Sequence, residues 1–197
     1  MGPIFNPPSV RGAADGTLAS IHCPGANGGT NIPGGANVDP ETGILYVVST
    51  KGCSAPQLVP GTSVDPDSNM NFVTVGPGGV PGPQGLPIFK PPYGRITAID
   101  LNTGEHLWWI PNGDTPANVK NHRALQGVDI PVTGKGAHAP TLVTSTLLMY
   151  GEGRGGEPLF HAVDKRTGEE LGTVTLPAPT NTAPMTFMHD GVQYIVM

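Results

Sequence analysis

Gly151, Gly153 and Gly156 stand at Gly-x-Gly-x-x-Gly spacing directly after an apolar run at 141–150. With a helix behind it, such a loop presents backbone amides to a pyrophosphate. Here the next residues are Pro158-Leu159-Phe160-His161-Ala162-Val163-Asp164, a strand-like segment, so the glycines are expected to form a turn between strands. Glu152, Arg154 and Glu157 around that turn carry the charge to rim an opening, and Lys120, His122 and Arg123 form a small basic set; solvated loops carry both patterns as well. The histidines (His22, His106, His122, His138, His161, His189) show no i, i+4 pair and no third ligand at a zinc spacing, so surface or loop positions are expected for them. His138, just before Pro140, lies in a loop that could face a channel. No Gly-x-Ser-x-Gly elbow occurs, so nothing supports a serine hydrolase. No residue of the chain is assigned as catalytic or as a metal ligand.

The elements that must position these groups are short and β-like. Apolar runs at 44–48, 94–101, 106–110, 141–150, 158–164, 169–176, 185–189 and 192–196 read as strands, with one more at 17–22. Asp190-Gly191 between the last two favours the positive φ values of a tight hairpin. Residues 50–92 are rich in Gly, Pro, Ser and Asp with little periodicity and read as a long insertion loop between strands. One helical turn is expected near 119–125, and no long amphipathic helix appears. The expected class is all-β. Glycine (29) and proline (23) make up a large share of the 197 residues, but only 13% are charged, unlike a disordered chain. A net charge of −5 with no basic block argues against nucleic acid as a partner. No apolar run reaches the roughly 18 residues of a membrane span.

A repeat organises the strands. Ala98-Ile99-Asp100-Leu101-Asn102-Thr103-Gly104-Glu105-His106-Leu107-Trp108 recurs 64 residues later as Ala162-Val163-Asp164-Lys165-Arg166-Thr167-Gly168-Glu169-Glu170-Leu171-Gly172. Each copy reads as strand, tight turn and strand, with Asp100 and Asp164 accepting hydrogen bonds from the turn amides. The period suits one four-stranded unit stacked on its neighbour. Trp108 closes the first copy with a large planar group suited to wedging between units; Gly172 replaces it in the second, where a weaker contact is expected.

The pattern Ala-x-Asp-x-x-Thr-Gly-Glu-x-x-Trp resembles the tryptophan docking repeat of the pyrroloquinoline quinone (PQQ) dehydrogenases. Three further segments are similar to that family: Gly28 to Gly35 followed by Asp39 to Val47, Pro91 to Asp100, and Ala183 to Phe187 followed by Gly191 to Val196. Together they resemble the last third of the membrane glucose dehydrogenase type. The resemblance implies that residues 1–197 are a C-terminal fragment holding two to three four-stranded blades of an eight-bladed β-propeller. It implies a periplasmic enzyme that oxidises a sugar or alcohol by hydride transfer to PQQ held by Ca²⁺, passing electrons to a quinone acceptor. The remaining blades would come from elsewhere in the full-length chain or from a second chain, and the fragment alone would be inactive. Asn31 is the one residue carried over as a cofactor contact: the family has an asparagine followed by tryptophan in this glycine-rich motif, and here Ile32 follows. An asparagine in a left-handed turn between glycines is the alternative. A periplasmic location would allow Cys23 and Cys53 to be bridged; two unpaired buried thiols are the other possibility. The rival to the enzyme is a non-catalytic propeller scaffold or binding module, a reading favoured by Ile32 and Gly172.

Overall fold

The computed structural model describes residues 8–14, 20–24, 28–30, 35–76, 80, 82–136 and 138–197. Its strands, in chain order, are β1 (Ser9–Val10), β2 (Gly29–Thr30), β3 (Ala36–Asp39), β4 (Ile44–Thr50), β5 (Gln57–Pro60), β6 (Phe72–Val75) and β7 (Gly94–Asp100). There follow β8 (His106–Pro111), β9 (Thr141–Val143), β10 (Leu147–Gly151), β11 (Leu159–Asp164), β12 (Glu170–Thr175), β13 (Met185–His189) and β14 (Val192–Val196). The α-helix among the described residues is the single turn α1 (Ala117–Lys120), followed by a 3-10 turn at Arg123–Leu125. The chain divides into two compact units, one of residues 1–28 and 52–89, the other of residues 29–51 and 90–197.

In the first unit β1 runs parallel to β5, which pairs antiparallel with β6. Cys23 and Cys53 form a disulfide, flanked by a bridge in which the backbones of His22 and Ser54 exchange hydrogen bonds of 2.9 Å. The stretch read as one structureless loop thus contains paired strands; Val59, with its β-branched side chain buried, gives them a small apolar interior. Of the strand expected at 17–22, residues 17–19 lie outside the described residues, and His22 makes only that bridge.

The second unit contains two larger antiparallel sheets and the β13–β14 hairpin. In one, β4 is central to β7 and β8 on one side, with β2 and β3 sharing its other edge; the second runs β9-β10-β11-β12. The apolar run at 141–150, read as one strand, is the hairpin β9–β10: Thr144 turns the chain, its hydroxyl donating to Leu147 O and accepting from Leu147 N. The β13–β14 hairpin turns through Asp190 (φ 48°) and Gly191 (φ 77°), as the Asp-Gly pair requires.

Alternation along the strands decides how the sheets meet. Tyr46 and Val48 on β4 and Ile96 and Ala98 on β7 share a face, which packs on Leu148, Tyr150 and Val163 of the second sheet and on Ala139 in the connection before it. Trp108, opposite Ala98, extends this core, 5.8 Å from the Tyr46 ring. Its indole reaches the turn of the next sheet at Gly168, where an added Cβ would stand 2.8 Å from Trp108 Cε3; the same glycine holds φ at 76°. Gly172 stands opposite Ala162 as Trp108 stands opposite Ala98, and a Cβ there would meet nothing.

The sequence repeat is a repeat of hydrogen bonds. Asp100 Oδ1 accepts from Asn102 N at 2.8 Å and Asp164 Oδ1 from Arg166 N at 2.7 Å. Gly104 N and Gly168 N donate to the carbonyls of Asp100 and Asp164, and the two strands that flank each turn pair with a bulge, at Ala98/Ile99 between β7 and β8 and at Ala162/Val163 between β11 and β12. Asp39-Pro40-Glu41-Thr42-Gly43 makes a third turn of the same kind, with Gly43 N donating to Asp39 O and Glu41 N to Asp39 Oδ1. Strand register puts all three turns at one end of the sheets.

At that end Lys165 Nζ donates to Asp39 Oδ2 at 2.6 Å, both side chains buried, and the Tyr46 hydroxyl donates to Lys165 O at 2.9 Å. Burial, reinforced by the charges of Asp39 and Asp164, pushes the Tyr46 phenol up to about 12. The hydrogen bond from Lys165, then that from the Thr42 hydroxyl, hold the Asp39 carboxyl below its usual 3.8. A carboxyl depressed by folding stabilises above its unfolded value, and that contribution is lost as pH falls through the folded value. Lys165→Met is therefore expected to be less stable than the parent at neutral pH, with the gap closing below about pH 4. Urea midpoints measured across that range check this; a gap independent of pH would refute it.

Candidate functional site

The opposite end of the sheets carries the long connections: residues 51–93 between β4 and β7, 112–140 between β8 and β9, and 152–158 between β10 and β11. They are tied together by backbone bonds. Asn112 N donates to Gly94 O, Lys135 N to Asn112 O and Tyr93 N to Thr133 O. Asn112 Nδ2 reaches Glu152 O at 3.2 Å, and Lys135 Nζ pairs with Glu157 Oε1 at 2.9 Å, joining the connection after one sheet to a turn of the next.

Glu152 is the centre of this end. Expected on a charged rim, it is instead 3% exposed, its Oε2 accepting from Glu157 N at 2.7 Å and its Oε1 lying 3.5 Å from His161 Nε2. His161, expected at the surface, is buried on β11, where alternation turns it onto Tyr150 of β10; the two rings stack with centroids 4.8 Å apart. Its Nδ1 lies 2.9 Å from Glu170 Oε2, within hydrogen-bond distance. The ring is held between two carboxylates from a turn and an outer strand. Burial, then the charges of Glu170 and Glu152, push the Tyr150 phenol above its usual value. A buried carboxylate with such partners is built to hold the 151–157 turn rigidly.

The glycine spacing has the same purpose. A Cβ on Gly151 would stand 2.1 Å from Thr180 Oγ1, one on Gly153 1.9 Å from His138 O, and one on Gly156 2.4 Å from Glu152 Cβ. These glycines let the segments at Thr180 and His138 close on the Glu152 turn and the turn close on itself, and β11 follows as expected, with no helix to receive a phosphate. His138 lies in that closed packing beside Gly153. Lys120 is paired with Asp114 at 2.8 Å on the surface.

Asn31 lies outside the described residues, as does Ile32. Two residues before it, β2 places Gly29 at a pocket of about 270 Å³ lined also by Ser49, Thr50, Lys51, Pro92 and Arg95. Among the described residues no group of three His, Cys, Asp or Glu side chains stands at metal-binding distance.

Two antiparallel four-position sheets stacked face to face, with a hairpin after the second, are successive sectors of a β-propeller. The family model of the PQQ glucose/ethanol/alcohol dehydrogenase β-propeller domain matches residues 1–195, and the chain belongs to that family. It is 30% identical to a probable quinate dehydrogenase (quinone) of Xanthomonas campestris pv. juglandis, over 93% of this chain and 25% of that protein. It is 29% identical to a glycerol dehydrogenase large subunit of Gluconobacter thailandicus, over 98% of this chain and 28% of the other. The quinohemoprotein alcohol dehydrogenase of Comamonas testosteroni superposes with a TM-score of 0.57 at 21% identity, covering 92% of this chain and 24% of that one. The chain thus spans about a quarter of the length of the relatives it matches. No described helix is long and apolar enough to cross a membrane.

Proposed function

We propose that residues 1–197 are the C-terminal blades of a periplasmic PQQ-dependent dehydrogenase that oxidises a sugar, polyol or related alcohol. The observation that carries this reading is the family match over residues 1–195 on a chain whose sheets stack as propeller sectors. Relatives named for quinate, glycerol and glucose support a hydroxylated carbon substrate. When bound, PQQ supplies the hydride acceptor. Residues 50–92 are an insertion within one blade, and Trp108 is the docking tryptophan of the first complete one. The Asn31 amide donates to the quinone carbonyls, as the resemblance of the glycine-rich 28–35 motif to the family implies. The connections at 112–140 and 151–157 exclude water at the entrance, the second held by Glu152 and His161. The family resemblance puts the residues that would hold Ca²⁺ in other blades, and no step is derived through it.

The remaining blades, in the same chain or a second one, complete the enzyme. Co-expressed with them and supplied with PQQ and Ca²⁺, the assembly is expected to show bound-quinone absorbance and dye reduction with glucose, glycerol or quinate. Asn31→Ala is expected to lower turnover by about 10²-fold or more with the fold intact. A reconstituted assembly that binds no quinone would instead establish the scaffold reading.

A further inference from the structure

His161 stands where the two larger sheets meet. It pairs directly with Tyr150, a member of their shared core, so alternation turns its ring toward the β4–β7 sheet. Both sheets belong to one compact unit of this chain, so the partners of the ring are in place without a further blade. Each ring nitrogen faces a carboxylate: Nδ1 is 2.9 Å from Glu170 Oε2 on β12, and Nε2 is 3.5 Å from Glu152 Oε1 in the turn after β10. The Thr173 hydroxyl, 3.3 Å from Nδ1, donates to Glu170 Oε1. Nε2 is shut off from solvent and has no hydrogen-bond partner. A neutral imidazole has one N–H, so whichever nitrogen holds it, the lone pair of the other points at an anion; the imidazolium offers a donor to both. Buried Glu152 has no Lys or Arg within ion-pair distance among the described residues, which leaves His161 as its counter-charge. On the facing side Asn112 Nδ2 donates to Glu152 O, Gly113 leaves room for the carboxylate, and Lys135 is paired with Glu157. Tyr150, stacked on the ring, stays neutral, because burial and then the charges of Glu170 and Glu152 push its phenol up.

We propose that His161 is the positioning residue of the 151–157 turn: as an imidazolium between Glu152 and Glu170 it keeps the turn closed, and on losing its proton it lets the turn open. The link runs through Glu152, whose Oε1 faces the ring while its Oε2 accepts from Glu157 N at 2.7 Å. Without the charged ring this carboxylate is a buried anion with no counter-charge, and it is drawn toward water with the turn attached. The protonated ring carries the contribution, so closure is present on the acid side of the ring's transition and lost as pH rises through it. That the turn borders an active-site entrance rests on the function proposed above; the coupling of ring to turn does not, and its test needs no quinone.

The test follows the full chain, ¹³C-labelled at histidine Cε1, between about pH 5 and 9, a range that contains the ordinary imidazole transition. NMR reads the charge of His161, and hydrogen exchange, corrected for the intrinsic rate at each pH, reads the protection of the Glu157 amide. Protection is expected to fall about tenfold or more as His161 loses its proton, with one midpoint for both. His161→Gln should lower protection to the alkaline level and remove its pH dependence. Glu170→Gln, at the exposed end of the cluster, should keep the fold and move both midpoints together toward acid. His106→Gln, an exposed imidazole at the other end of the sheets, should leave both unchanged. Protection that ignores the charge of His161, a ring that holds one charge throughout the range, or midpoints that part in Glu170→Gln would overturn the proposal.

Discussion

Trp108→Ala is expected to lower the unfolding free energy of the sheet-bearing unit by about 3–5 kcal/mol, the range for removing a packed indole. The ring lies against Tyr46 in its own sheet and against Gly168 in the turn of the next, so its loss opens a cavity between the sheets. Neither wall can collapse freely, since one is a strand pair and the other a hydrogen-bonded turn. The neighbouring Trp109, 51% exposed on the opposite face, is the internal control, and Trp109→Ala should change stability by less than about 0.5 kcal/mol. Urea unfolding followed by circular dichroism separates the two. Equal effects would mean that the sheets do not meet at Trp108.

The second large effect belongs to the disulfide. Cys23 and Cys53 are 30 residues apart, and a loop of that length gives about 3–4 kcal/mol by restricting the unfolded chain. Among its described residues the unit that contains them has short strands, with buried Val59 and Cys53 itself as the apolar interior, and so little else there to replace the cross-link. Replacing both cysteines by serine, or adding reductant, should shift the unfolding midpoint down accordingly. Two freely reactive thiols in the untreated protein, with no shift on reduction, would refute the bridge.

The strands were legible where periodicity and turn chemistry agreed. β13, β14 and their Asp-Gly turn stand where alternation and positive φ put them, and the repeat around Asp100 and Asp164 predicted both the turns and their carboxylate caps. The third turn at Asp39 carries the same Asp-x-x-Thr-Gly signal and could have been counted with them. The split between β9 and β10 was less visible, because Ser145 and Thr146 interrupt an apolar run without a glycine or proline. Glu152 and His161 were misplaced because residue type alone puts a glutamate in a loop and a histidine on a surface. Their burial comes from Tyr150 and Glu170, which only strand pairing brings alongside. The pairing of Lys165 with Asp39, 126 positions apart, has no local signal at all.

Closing every hairpin turn of this type at one end has a consequence for how such a chain can change. Pairing that is pinned at its base cannot slip by a residue when its mouth is altered, so insertion and deletion are confined to the far rim without turning the apolar residues outward. The segment between β4 and β7 is an instance: a second compact unit has been accommodated between strands whose seven-residue register runs unbroken from Ile44 opposite Asp100 to Thr50 opposite Gly94. Diversity in what the molecule recognises can then accumulate at the rim while the geometry beneath stays the same.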